Sequence, residues 1–522
     1  MPPAGLRAIC LAIPLLWFAT PVSAQIIPIK TIPIAQGDQF QLFPSNNLGM
    51  GSVSIALVDS LRDPFVNPAT TVRLRGSRFF GSPTVYSLSG RAGGGRSLPV
   101  SVLARKANWY GGLGFVLQQV DPSRPPRSGF GVVDLAVPAP GVTPPLPPGD
   151  GFLPGTIPGP DQSAHGNKYA FGMVGRTYPE GNLSIGASAL WTGLHALDGV
   201  DLLYAGSRRV AQSGHALDLR VGALKEWPGE RGARTLEAIV VHNRFMATHD
   251  VLYADLFWDP NTQQFLESAR TERNLDHTVT WGTQLQYSIP LGDPGWRLGW
   301  LAIVNRASHP KIPNYEIANV PGIPRDPGYT SAYNFGIGAS KVLGPSTFGI
   351  DAVFEPIRSY TWADAPTALV TAAGDTIPAG GKTIENRFRF SNALVRIGVG
   401  RQFRLEGEGQ SVTLQLGLMT RSIDYRLRQV DNVTLLQRAV RTRWLEYTPT
   451  WGFSLRFPEI EIRYSGRVTK GAGRPGGFGG FIAGFRDVAL AGGTILAAPT
   501  GPLNLTDVNT STHQLSVSLP LR

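Results

Sequence analysis

Polar and apolar residues alternate with a period of two through much of the chain after Gly90. Over 277–289 the pattern is clearest. Val279, Trp281, Thr283, Leu285, Tyr287 and Ile289 share one face, and Thr278, Thr280, Gly282, Gln284, Gln286 and Ser288 share the other. The same alternation returns over 217–224, 296–305, 333–340 and 515–522. Successive side chains of a strand point to opposite faces, so each stretch predicts a β-strand with one apolar face.

The links between these segments carry a second rhythm. Short links fall near 179–182, 227–232, 292–295, 344–346, 406–409 and 457–458. Long polar or Pro/Gly-rich links fall near 121–167, 195–213, 248–276, 306–330, 362–385, 426–442 and 469–512. Strands that cross a lipid bilayer must pair every backbone N–H and C=O within the protein, which forces the sheet to close. Such barrels have short turns on the periplasmic side and long loops outside. The spacing predicts an all-β fold, a transmembrane antiparallel β-barrel of about 14–16 strands. An even count would bring the last strand, following a long link, to a periplasmic end. Several tryptophans fall near predicted strand ends, among them Trp109, Trp191, Trp281, Trp296, Trp362, Trp444 and Trp451, as an interfacial belt requires.

Composition supports this reading. Of 522 residues only 16% are charged, below the roughly 25% of soluble proteins. Past the extreme N-terminus no apolar run reaches the roughly 18 residues of a spanning helix. The formal net charge is +11, but the arginines are spread singly along the chain, which argues against nucleic acid as a partner. Residues 1–24 read as a secretory signal peptide. Arg7 is its positive charge, 8–18 its apolar core, and Val22, Ser23 and Ala24 precede the expected cut. Cleavage there removes Cys10, the sole cysteine, and with it any disulfide or thiol chemistry. An exported chain of this kind is expected in the bacterial outer membrane, with membrane lipid as its surroundings.

Motifs for enzymatic chemistry are missing. The eight histidines form no H-E-x-x-H, and the pair His242 and His249 is expected to split, with His249 in a loop. No G-x-S-x-G occurs. Gly471 to Gly476 match G-x-G-x-x-G, but Pro475 and the glycines that follow suit a flexible outer loop better than a dinucleotide site. No enzyme activity, metal or cofactor is therefore expected. Arginine at the bilayer midplane costs about 2–4 kcal/mol, so the strand residues Arg220, Arg297, Arg387, Arg389 and Arg396 are expected to face the lumen. There they either form a basic lining for anionic solutes or pair with carboxylates to hold the structure together.

Residues 48–69 read L-G-M-G-S-V-S-I-A-L-V-D-S-L-R-D-P-F-V-N-P-A. This stretch resembles the start of the FadL-like outer-membrane proteins, transporters of long-chain fatty acids and hydrocarbons, and their secretion-associated relatives. Gly49, Met50, Gly51, Ala56, Asp59, Asn67, Pro68 and Ala69 carry the match. The resemblance implies a plug or hatch inside the barrel, with a signal peptide at 1–24, the hatch at 25–70 and the barrel at 71–522. It also implies uptake of hydrophobic or amphiphilic small molecules, with exit through a gap in the wall. Two other functions fit the same fold, a non-transporting structural or secretion-associated barrel and an anion-favouring porin. A plain strand and turn is the other reading of 48–69.

Overall fold

The computed structural model describes residues 38–74, 76–90, 92–121, 133–134, 165–198, 209–259, 264–292, 295–309, 316–317, 327–365, 367–475 and 505–521. The expected signal peptide and the first part of the expected hatch lie outside these residues.

Among the described residues, sixteen strands close into one antiparallel barrel. The first, β1, is made of Ser77–Gly81 and Thr84–Leu88. There follow β2 (Gly94–Lys106), β3 (Trp109–Asp121), β4 (His165–Tyr178), β5 (Leu183–Leu194), β6 (Arg209–Trp227), β7 (Arg234–Asp259) and β8 (Gln264–Pro290). The second half comprises β9 (Trp296–His309), β10 (Gly328–Leu343), β11 (Ser346–Asp364), β12 (Lys382–Arg404), β13 (Ser411–Asp431), β14 (Gln437–Arg456), β15 (Glu461–Pro475) and β16 (Leu505–Leu521). Closure is by β1 against β16, from Ser77↔Leu521 to Leu88↔Thr510. Pro83 has no N–H to donate and splits β1 in two, yet the register is the same on both sides of the break.

The two faces of this sheet invert the rule for soluble proteins. Leu113 and Phe115 of β3 are 65% and 60% exposed on the outer face. Gln118 of β3, Asp218 of β6 and Asp351 of β11 are buried on the inner one. An apolar exterior over a polar interior suits acyl chains as the outer solvent, and closure leaves the sheet without an edge. Among the described residues no helix is long and apolar enough to cross a membrane.

Every short link predicted from the sequence is a turn at one end of the barrel, where both β1 and β16 also meet. Two of the predicted long links are corrected. Over 248–276 and 426–442 the strands continue, β7 to Asp259, β8 from Gln264, β13 to Asp431 and β14 from Gln437. Beyond the apolar band both faces of a strand meet polar surroundings, so the period of two fades while backbone pairing goes on. His249, expected in a loop, lies in β7 for the same reason, and Gly471 to Pro475 belong to β15.

Candidate functional site

Residues 38–74 lie within the barrel. Only a segment inside the cylinder can touch walls on opposite sides, and this one does so in order. Near its start, Gln39 donates to Ala196 O at 2.9 Å, and Arg467 of β15 donates to Asp38 at 2.7 Å. The chain then passes from β14 down to β4 along the end that carries the short turns. Thr450 donates to Gly49 O at 2.9 Å, and Gln415 to Asn46 O at 2.8 Å. Ser54 N donates to Asp351 of β11 at 2.8 Å, and Gln286 of β8 to Ile55 O at 3.0 Å. Asn67 donates to Glu237 of β7 at 3.3 Å, and Thr71 to Met173 Sδ of β4 at 3.2 Å.

Local sequence explains the shape of the segment. Asp59 gathers its turns, accepting the N–H groups of Asn46 at 2.8 Å, Leu61 at 3.2 Å and Arg62 at 3.1 Å. Asn67 caps the 3-10 helix Pro68–Arg73 by accepting from Ala69 N at 3.1 Å, and Pro68 has the φ that a first helical position needs. Gly51 takes φ +67°, open to glycine at little cost, and its N–H reaches Thr450 Oγ1 at 2.8 Å. At the end of the helix, Arg73 is held by Glu237 at 2.8 Å and Glu226 at 3.0 Å. The internal segment therefore runs beyond residue 70, and the barrel begins at Ser77 rather than at 71.

The wall is recessed to receive it. Gly186, Gly222, Gly299, Gly338, Gly349, Gly398, Gly417 and Gly452 all lie beneath the segment on their strands' inner faces. Gly186 pairs with Gly222, Gly299 with Gly338, and Gly398 with both Gly349 and Gly417. A Cβ at Gly222 would lie 2.0 Å from Asn67 Oδ1, one at Gly299 2.5 Å from Ile55 O, and one at Gly398 2.2 Å from Met50 O. None of these glycines stood out in the sequence, because a glycine in a strand has no face pattern of its own. Their shared signal is visible only once the strands are in register.

Toward the opposite end the inner wall turns apolar. Phe388 and Phe390 of β12, with Ile423, Tyr425 and Leu427 of β13, form one cluster, against which Ile357 and Trp444 pack. The Phe390 and Tyr425 rings are 5.1 Å apart. A second cluster sits about seven strands away round the wall, with Leu194, Ala216, Phe245, Ala247 and Val251 on β5 to β7, and Phe40 of the internal segment packs against it. Trp444 thus faces the lumen instead of joining a belt, whereas Trp109, Trp191 and Trp281 are exposed on the outer face.

The five predicted lumen arginines divide. Arg220 lies on the inner face, paired with Asp218 at 2.6 Å and donating to Val66 O at 3.3 Å. Arg297, also inner, donates to Ser288 at 2.7 Å and Ala233 O at 3.0 Å. Arg396 faces Asp351 at 3.6 Å. Arg387 and Arg389 are corrected. They alternate with the buried Phe388 and Phe390 and so point outward, exposed, in the half of β12 away from the short turns. The midplane cost that placed them inside does not apply at that height. His242 and His249 fall on opposite faces of β7, and among the described residues no group of side chains is arranged to hold a metal.

No protein-family model and no curated protein matches the chain. Solved structures do. The monoaromatic hydrocarbon channel CymD is 12% identical with a TM-score of 0.33, over 95% of this chain and 99% of its own. The toluene transporter TbuX of Ralstonia pickettii is 9% identical with a TM-score of 0.36, over 92% and 100%. The FrpB iron transporter of Neisseria meningitidis is 11% identical with a TM-score of 0.30, over 90% and 86%. All three likenesses are remote.

Proposed function

We propose that the chain is an outer-membrane channel for hydrophobic or amphiphilic small molecules, held closed by residues 38–74, with no chemistry of its own. The observation that carries this reading is the division of the lumen. An apolar and aromatic cluster on β12 and β13 lines the wall toward one end, and a fixed internal segment follows the wall at the other. A diffusion porin has a polar, water-filled interior. An apolar wall gives a solute such as a hydrocarbon or fatty acid a place to leave water, at about 25 cal/mol per Å² buried. The inner arginines support structure in this reading, since Arg220 and Arg396 face Asp218 and Asp351. The motif residues Gly49, Met50, Gly51, Asp59, Asn67, Pro68 and Ala69 shape and seat the hatch.

Uptake of a radiolabelled monoaromatic or fatty acid into cells or proteoliposomes tests the reading. Replacing Phe388, Phe390 and Tyr425 by serine is expected to lower uptake at least several-fold while the barrel still folds. Free passage of sugars in a liposome-swelling assay would favour the porin instead.

A further inference from the structure

The outer face carries a charge arrangement that solute transport does not use. Arg358, Arg389, Arg426 and Arg441 stand directly opposite one another on β11, β12, β13 and β14, an unbroken cross-strand row. At about 4.8 Å between strands the row spans roughly 14 Å. Like charges directly opposite in a sheet repel, so such a row needs counter-charge. The protein supplies little of it. Asp424 is shared by Arg426 at 3.1 Å and by Arg441 and Arg443 at 2.7 Å each. Glu385, on the same face, is engaged by Lys382 and the Tyr360 hydroxyl. Among the described residues Arg358 and Arg389 make no ion pair, and both are exposed.

A second feature adjoins the row. Lower on the same strands an apolar depression of about 730 Å³ opens in the wall between β7 and β12. Ala352 and Phe354 line it on β11, and Ala393 and Val395 on β12. Arg358 and Arg389 follow four positions above Phe354 and Ala393, with Pro356 and Ser391 between. Arg358 lies about 40 Å along its strand from the short-turn end, or about 28–33 Å along the membrane normal at the usual tilt. That height is the upper limit of the hydrocarbon layer, where its headgroups begin.

Apolar groove below, paired-strand arginines above: we infer that this face binds a phosphorylated glycolipid of the outer leaflet, its acyl chains in the depression and its phosphates on the arginine row. Guanidinium groups take phosphate in bidentate fashion, and four of them in a row fit a headgroup with more than one phosphate better than a singly charged one. The inference rests on the outer-membrane reading proposed above, with the short turns on the periplasmic side.

The test uses the full mature chain refolded in detergent and titrated with lipid A as the bis-phosphate, the monophosphate and the dephosphorylated form, with native mass spectrometry as readout. Wild type is expected to retain the bis-phosphate at least tenfold better than the dephosphorylated form, and less so as salt is raised. Arg358→Gln with Arg389→Gln removes two arginines that form no ion pair, and is expected to lose at least tenfold in retention. Arg96→Gln, an outward arginine on the far wall, is expected to change nothing. Equal retention of all three lipids, or wild-type retention by the double variant, overturns the inference. Folding into lipid vesicles, followed by heat-modifiable gel mobility, is scored separately. A barrel that inserts yet ignores phosphate sinks this inference alone, and one that does not insert sinks the membrane reading.

Discussion

Asn67 is the residue on which the internal segment turns. Its side chain caps one helix, bonds Glu237 and fills the space left by Gly222. Asn67→Ala removes the cap and one buried hydrogen bond, an expected loss of about 1–3 kcal/mol in the segment's docking. Limited proteolysis should show this as faster cleavage within 38–74 while the strands stay protected. Asp63 behaves differently. Desolvation within the barrel, reinforced by the Asp59 and Glu237 carboxylates, holds its carboxyl well above the ordinary carboxylate range. The folded state thus favours the neutral form. Its contribution to stability is complete below the ordinary carboxylate value and is lost as pH rises through the elevated one. Asp63→Asn stays neutral throughout. The variant should melt with wild type in acid and increasingly above it toward neutral pH. A difference that does not vary with pH would refute this account.

At the scale of elements, the glycine recess couples two layers that sequence keeps far apart. Gly222→Val and Gly299→Val put side chains into space occupied by Asn67 and Ile55. Overpacking of this kind costs about 1–3 kcal/mol, and here the segment has less to hold it than the closed sheet. Each variant should still run as a folded, heat-modifiable barrel, but should pass ions in planar bilayers where wild type is closed. Unfolding of the whole barrel at lower temperature, with no added conductance, would show that the recess serves the wall instead. Within a strand, Gly222 and Gly299 look like the small residues of any β-segment. Their common purpose depends on registers such as Gly299↔Gly338, which local sequence does not encode.

For the whole molecule, the division of the lumen predicts two separable losses. Substitutions at Phe388, Phe390 and Tyr425 should reduce uptake and leave conductance low. Substitutions of Arg73, whose guanidinium ties the end of the segment to Glu226 and Glu237, should raise conductance with uptake specificity relaxed. Arg73→Ala leaves Glu237 without its cation, so the expected cost is about 3–5 kcal/mol in a largely buried pair of this kind. Coincident loss of both properties in every variant would mean that the lumen works as one unit.

The period-two segments determined the strand faces, because an acyl-chain exterior imposes one side of every spanning strand. The outward Trp281 and Leu285 of β8, and the inward Gly299 of β9, follow from that pattern alone. Turn chemistry at 179–182, 344–346 and 457–458 determined where strands reverse, whereas residues 48–69 left a hatch and a plain strand and turn both open. Height along the barrel was beyond reach of sequence. Arg387 and Arg389 follow the same alternation as lipid-facing residues, yet they stand in the half of β12 away from the short turns, where charge costs less than at the midplane. Register was equally hidden. Only closure of the sheet sets Arg358 opposite Arg389, Arg426 and Arg441, and only the folded wall sets eight glycines under one length of chain. Alternation is a property of neighbours along the backbone, whereas rows across strands are decided by hydrogen-bond pairing between residues far apart in sequence.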